Sequence, residues 1–193
     1  MKNSNDLFVR INSGKHKGRK IALPSLETTR STKSIIRESF FNTVQFEIIG
    51  KIFVEVFAGS GSMGLEALSR GAKRVYFIEK DPDAYKILRE NIKTLGCEVC
   101  EAINGDSFIE FPRLIERIDE KSYFYFDPPF EIREGMDEVY EKTYRLIKKI
   151  PEEICEMITI EHMSSIKIPQ QIGIYSVYKS KKFGKTTLTY LKY

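Results

Sequence analysis

Asp127-Pro128-Pro129-Phe130 is the stretch of this 193-residue chain whose residue types point to the most specific chemistry. It follows the apolar run Tyr123 to Phe126, which reads as a short buried strand, so the carboxylate stands at a strand's carboxyl end. Two prolines hold the backbone so that a carbonyl can accept a hydrogen bond beside the carboxylate. The ring of Phe130 offers a face for stacking. Two acceptors on one NH2 group weaken its conjugation with a ring and free its lone pair to attack an electrophile. The pattern suits the grip of a planar base that carries an exocyclic amine. A proline turn without chemistry is the plain alternative, and the rest of the chain separates the two.

A second constellation lies upstream. Ile52 to Phe57 is an apolar strand with Glu55 inside it, followed by Gly59, Gly61 and Gly64 in GxGxxG spacing at the start of a helix over Met63 to Arg70. Glycines there allow a tight turn and close approach of a ligand to the backbone. Glu79 ends the next strand, Arg74 to Ile78, where it is placed to bind ribose hydroxyls. A nicotinamide dinucleotide fits that spacing. Glu55, however, would repel a pyrophosphate and attract a sulfonium or an ammonium group. Asp106 follows a third strand, Cys97 to Ile103, and can accept from an adenine amine. Three strand ends offering carboxylates suit a cationic, adenosine-bearing ligand, S-adenosylmethionine, whose product is S-adenosylhomocysteine. Glu55, Phe57, Gly59, Gly61, Gly64, Glu79, Lys80, Asp106, Ser107 and Asp127 form the expected cofactor site.

With these motifs in this order the chain resembles class I S-adenosylmethionine-dependent methyltransferases. Arg10-Ile11, Gly14, Gly18-Arg19-Lys20-Ile21, Thr29-Arg30-Ser31-Thr32, Arg37-Glu38-Ser39-Phe40-Phe41-Asn42 and Phe183-Gly184-Lys185-Thr186 narrow the resemblance to the RsmD-type family. That family methylates the N2 amine of a guanine, position 966 in the usual numbering, in 16S ribosomal RNA. The resemblance implies that Asp127 and the Pro128 carbonyl hold the amine, with Pro129 completing the turn and Phe130 stacking on the base. It departs from the family at Ser31, where a proline is usual, and at Ser34-Ile35, where an Asp-Arg pair is usual. Two other functions compete: an N6-adenine methyltransferase on DNA or RNA, which the same tetrapeptide suits, and a non-catalytic RNA-binding assembly factor of the same fold.

Charge distribution supports an RNA partner. The net charge is +4, but residues 1–50 hold nine Lys or Arg against four acids, a local +5, while the remaining 143 residues sum to −1. Arg10, Lys15, Lys17, Arg19, Lys20, Arg30 and Arg37 are the expected RNA contacts. Leu7 to Asn12 and Arg19 to Leu23 read as a basic hairpin around a Gly- and Lys-rich turn. The expected organisation is a basic extension over residues 1–30 and a methyltransferase domain over residues 31–193. The resemblance implies 16S ribosomal RNA as the partner, free or within a partly assembled small subunit, and the protein is expected to act as a monomer.

The elements needed to position these residues follow a strand–helix repeat. Ser31 or Thr32 reads as the cap of a helix to about Phe46; helices are expected over Pro82 to Leu95, Ser107 to Ile118 (broken near Pro112) and Asp137 to Ile150. Cys155 to Ile160 reads as a strand, and Gly173 to Lys179 with Thr186 to Lys192 as a closing hairpin. The predicted fold class is α/β: a Rossmann-like class I methyltransferase with a seven-stranded mostly parallel sheet, helices on both faces and a basic amino-terminal β-hairpin. Arg37 is expected to point toward the cofactor's carboxylate or to lie on the surface, and a loop over Glu131 to Gly135 to close over the base. Cys97 and Cys100 are expected to face opposite sides of a strand, which leaves them no redox use, and no metal site is expected. His162 is expected to be structural. No apolar stretch has membrane-spanning length, and the start Met1-Lys2-Asn3-Ser4-Asn5-Asp6 does not read as a signal peptide. A reducing cytoplasm is the expected location.

Overall fold

The computed structural model describes residues 7–24, 30–129 and 136–193, with residues 30–32 and 136–137 described by their backbone alone. In chain order the elements are β1 (Phe8–Arg10), β2 (Lys20–Ala22), α1 (Arg30–Thr43), β3 (Ile52–Glu55), α2 (Ser62–Ser69), β4 (Arg74–Glu79), α3 (Pro82–Leu95) and β5 (Cys100–Asn104). They continue with α4 (Ser107–Ile115), β6 (Ser122–Phe126), α5 (Met136–Ile147), β7 (Cys155–Met163), β8 (Gln171–Ile172), β9 (Tyr175–Phe183) and β10 (Thr186–Lys192). β1 and β2 form a separate antiparallel hairpin.

The main sheet runs β5-β4-β3-β6-β7-β10-β9-β8. Its first five strands are parallel and the last three antiparallel. The sheet therefore has eight strands among the described residues, one more than expected, because two-residue β8 adds an edge to β9. The chain winds outward from β3 through β4 to β5 and returns to place β6 on the other side of β3. Such a reversal opens a crevice at the carboxyl ends of the two central strands. Those ends carry the glycine turn after β3 and Asp127 after β6.

Alternation along the strands builds a core on each face. Tyr123 and Tyr125 of β6 join Phe53, Phe77, Leu65 and Leu88 on one face, under α1, α2, α3 and the hairpin. Phe124 and Phe126 join Phe111, Leu114, Tyr144 and Ile147 on the other, under α4 and α5. All five residues of β6 are buried, as expected for a strand covered on both sides. Phe40 anchors α1 to the sheet, with ring centroids 4.9 Å from Phe41, 5.3 Å from Tyr125 and 5.9 Å from Phe53.

Capping explains the helices that flank the crevice. Asp81 accepts from Ala84 N at 2.8 Å, Pro82 opens the first turn of α3, and Gly96 closes it at φ 64°. Asp106 caps α4 by accepting from Phe108 N at 2.9 Å. α4 runs through Pro112 and ends at Ile115, three residues early. α1 begins at Arg30, so Ser31 and Thr32 lie within its first turn rather than at its cap, and it ends at Thr43 rather than Phe46.

One expectation fails outright. β5 begins at Cys100, not Cys97, because the left-handed Gly96 turns the chain before the strand starts. Strand alternation therefore does not apply to the pair. Cys97 and Cys100 lie 5.6 Å apart at Cα and are joined in a disulfide.

Candidate active site and cofactor cleft

A cavity of about 230 Å³ opens at the crevice. Its wall carries Glu55, Phe57, Gly59 and Asp127 from the residues expected to do chemistry, joined by Lys33, Arg37 and Glu161. Asp127 follows the last residue of β6 directly. Its Oδ2 accepts from Lys33 Nζ at 3.1 Å. Its Oδ1 is buried and has no hydrogen-bond partner among the described residues. Pro128 is buried and Pro129 exposed. Phe130 and the expected closing loop at Glu131 to Gly135 lie outside the described residues.

Lys33 and Glu161 were not anticipated as site residues. Lys33 comes from α1, far from Asp127 in sequence, and only the packing of that helix on β3 and β6 brings the two together. Asp127 beside it raises the ammonium's pKa, burial working against this. Glu161 of β7 is buried and accepts from Tyr125 Oη at 2.5 Å. Burial, with Asp127 nearby, pushes its pKa up to about 7. An acid inside an apolar strand was the available signal, and Glu161 shares it with Glu55.

Glu55 is 4% exposed and holds the glycine turn from beneath. Its Oε2 accepts from Gly64 N at 2.8 Å and its Oε1 from Met63 N at 3.3 Å. These bonds tie the amino end of α2 to β3, a favourable place for a carboxyl group. Burial nevertheless dominates and pushes its pKa up to about 8.

The three glycines differ in purpose. Gly59 has φ 51°, and a Cβ there would meet open space, so it leaves room on the cavity wall. A Cβ on Gly61 would come within 2.4 Å of Leu88 Cδ1, and one on Gly64 within 2.3 Å of Phe77 Cε1. Those two glycines let α2 pack closely against β4 and α3. Glu79 braces the turn from the next strand: Oε2 accepts from Gly59 N at 2.6 Å and Oε1 from Asp81 N at 2.7 Å. A carboxylate has further lone pairs for a ligand's hydroxyls.

Further along the strand ends, Asp106 pairs with exposed Lys80 at 2.8 Å. The Lys80 hydrogen bond holds the Asp106 pKa below its ordinary value. Ser107 is buried and donates to the Val56 carbonyl, fixing α4 to the end of β3. Phe57 meets Phe108 edge to face at 5.6 Å. His162 is buried, between Met163 O at 2.9 Å and Thr189 Oγ1 at 2.8 Å, and takes no part in the cavity.

The hairpin is fastened down by an acid that sequence reading passed over. Glu66 on α2 is fully buried and accepts from Asn12 N at 2.7 Å, Ser13 N at 3.1 Å and Arg70 Nε at 2.7 Å. Arg37 lies beside it, with Nε 3.6 Å from Oε2 and Nη2 donating to Arg10 O at 2.7 Å. At 2% exposure, Arg37 is buried rather than on the surface, held by these partners while it lines the cavity. The Arg30 side chain is outside the described residues. Lys15, Lys17, Arg19 and Lys20 are exposed, Arg19 reaching Thr94 O at 2.7 Å. The turn that carries Lys15 packs on Ser69 at the carboxyl end of α2.

A parallel sheet that reverses between its central strands, with a glycine turn and an Asp-Pro-Pro segment at those strand ends, defines the Rossmann-like class I methyltransferase fold. The chain belongs to the family described as conserved hypothetical protein 95, whose model matches residues 9–192, and so to the RsmD-type proteins. It is 38% identical over 124 residues to the ribosomal RNA small subunit methyltransferase D of Haemophilus influenzae, a match spanning 63% of this chain and 64% of that protein. It is 33% identical over 140 residues to the Escherichia coli protein of the same name, covering 72% and 67%. Among solved structures, yhhF of Escherichia coli, a proposed methyltransferase, superposes with a TM-score of 0.77 at 26% identity, covering 96% of this chain and 97% of that one.

Proposed function

We propose that this protein transfers a methyl group from S-adenosylmethionine to the exocyclic N2 amine of a guanine in 16S ribosomal RNA, guanine 966 in the usual numbering. The observation that carries the proposal is the state of Asp127. Lys33 occupies one oxygen, and the other is buried, unpartnered among the described residues and on the wall of the cavity. A buried acceptor left unmade costs about 1–3 kcal/mol, and an incoming N–H relieves that cost. The rRNA methyltransferase names of the relatives support ribosomal RNA as the source of that N–H.

The residues present suit the cofactor. Glu55, Asp127 and Glu161 line the cavity; burial raises the pKa of Glu55 and Glu161, and a bound cation would favour their charged forms. Gly59 leaves open space beside them, and Glu79 and Asp106 stand at the next strand ends for ribose and adenine. When bound, S-adenosylmethionine supplies an electrophilic methyl group. The chain supplies alignment: Asp127 Oδ1 and the Pro128 carbonyl accept from the amine, and Phe130 stacks on the base. Holding reactants in line is worth about 7–11 kcal/mol in favourable cases. Asp127 also stabilises the developing ammonium, whose proton leaves to Oδ1 or to water. The base must be unstacked to enter, at a cost of roughly a few kcal/mol. This reading places the protein in the cytoplasm, acting as a monomer on free RNA or on a partly assembled subunit.

The test is transfer of labelled methyl to unmodified 16S ribosomal RNA, free and in small subunits, followed by nucleoside mass spectrometry. N2-methylguanosine at one site is expected. N6-methyladenosine would replace the substrate assignment, and no product with bound cofactor would remove it.

A further inference from the structure

The hairpin's basic turn lies away from the strand ends that carry Asp127. α2 starts beside the glycine turn and runs back along the sheet, so its carboxyl end, on which Lys15 packs, is a helix length away, about 12 Å. A second basic region lies at the Asp127 end. Residues 164–193 contain Lys167, Lys179, Lys181, Lys182, Lys185 and Lys192 and no Asp or Glu, a local +6. Residues 51–163 between the two basic regions carry −7, so the sum over the last 143 residues conceals this one.

β7 carries the region to the active-site end. Phe126, the last residue of β6, pairs with Ile160, and β7 continues to Met163. Thr186 at the start of β10 pairs with Met163, so the β9–β10 turn at Gly184-Lys185 stands at the strands' carboxyl ends. Ser164 ties that turn to β7: its N donates to Lys185 O at 2.8 Å and its Oγ to Gly184 O at 3.1 Å. β10 is the second strand from β6, about 10 Å away at ordinary strand spacing.

Beside the turn is a separate polar cavity of about 340 Å³, with Ser164, Lys167, Gln170, Ser180, Thr187 and Thr189 on its wall. Ser164 and Thr187 are 2.8 Å apart at their hydroxyls, and Ser180 and Thr189 3.1 Å. Lys182 is the cross-strand partner of Thr187, so its side chain leaves the same face. Lys167, Lys182 and Lys185 are exposed and make no ion pair among the described residues. Hydroxyls on a wall shared with Lys167, with Lys182 and Lys185 on the adjoining strand and turn and no carboxylate in the segment, match the oxygens of a phosphodiester backbone.

We infer that the β7–β8 loop and the β9–β10 turn form the RNA-backbone contact that flanks the target nucleotide, with Lys167, Lys182 and Lys185 as its phosphate-binding residues. The inference rests on RNA being the substrate. The experiment compares full-length wild type with a Lys167→Gln/Lys182→Gln/Lys185→Gln variant and a Lys15→Gln/Lys17→Gln variant. Binding of unmodified 16S ribosomal RNA is measured across a salt series, together with methyl transfer and cofactor affinity.

The triple variant should bind at least about tenfold more weakly, with the slope of log K against log salt reduced by about 2 and cofactor affinity unchanged. The Lys15/Lys17 variant should lose less. Equal RNA affinity and slope in the triple variant and wild type, while wild type methylates RNA, would overturn this surface and leave the proposed function standing. Wild type that neither binds nor methylates the RNA would overturn both.

Discussion

Asp127 and Glu55 are acids at neighbouring strand ends with opposite duties. Asp127 presents to the cavity an acceptor unpartnered among the described residues, whereas both oxygens of Glu55 are taken by the backbone of α2. Asp127→Ala should therefore reduce turnover by at least about a hundredfold while cofactor affinity, read by titration calorimetry, stays near wild type. A matching loss of affinity would show that Asp127 serves the cofactor instead. Glu55 makes a pH prediction. Its pKa in the fold, about 8, is above the ordinary carboxylate value, so the folded state holds the proton more tightly. The associated stability is complete below the ordinary carboxylate range and is lost as pH rises through about 8. Urea midpoints should fall between roughly pH 5 and pH 9, and Glu55→Gln should flatten that fall. Glu161, also raised, leaves a residual slope in the variant. An unaltered slope would exclude Glu55 as a source.

The hairpin and α2 behave as one unit because of Glu66. β1 and β2 are only three residues each, too short to stand alone, and their apolar residues Val9 and Ile21 are buried in the same core as α1 and α3. Glu66→Ala would leave buried Arg37 and half-buried Arg70 without their counter-ion and two backbone N–H groups without their acceptor. Breaking a buried pair from one side costs about 3–5 kcal/mol. Chemical denaturation should show a loss of that order, with faster amide exchange at Asn12 and Ser13. Exchange that stays slow would mean that the apolar contacts alone secure the hairpin. The same packing view changes the meaning of the glycine motif. A valine at Gly61 would strike Leu88 and Phe77, so Gly61→Val reports on folding before it reports on cofactor binding. Gly59 faces open space, but its φ of 51° strains any side chain, so a substitution there tests backbone conformation and ligand together.

Across the molecule, charge is arranged in three blocks: +5 over residues 1–50, −7 over 51–163 and +6 over 164–193. The acidic middle includes the strand ends suited to a cationic cofactor, and the basic flanks suit a polyanion. Raising salt from ~50 to ~200 mM should raise the KM for RNA at least tenfold and leave the KM for S-adenosylmethionine nearly unchanged. Parallel salt responses would mean that RNA is not held through its phosphates.

Much of this architecture was legible from local signals. α3 begins and ends where Asp81-Pro82 and Gly96 dictate, because caps and left-handed glycines act within a few residues. Strand, glycine turn, helix and acid were readable for the same reason, as was Asp127 at the end of β6. The helix starting earlier than Ser31, the edge strand β8 and the Cys97–Cys100 disulfide were not, since each depends on where a neighbouring segment begins. Lys33 at Asp127, Glu161 under Tyr125 and Glu66 beneath the hairpin join residues 36 to 94 positions apart. No periodicity encodes such partners. They meet because apolar faces close on a twisted sheet, and the polar groups carried along must then find each other or remain, like Asp127 Oδ1, open to a ligand.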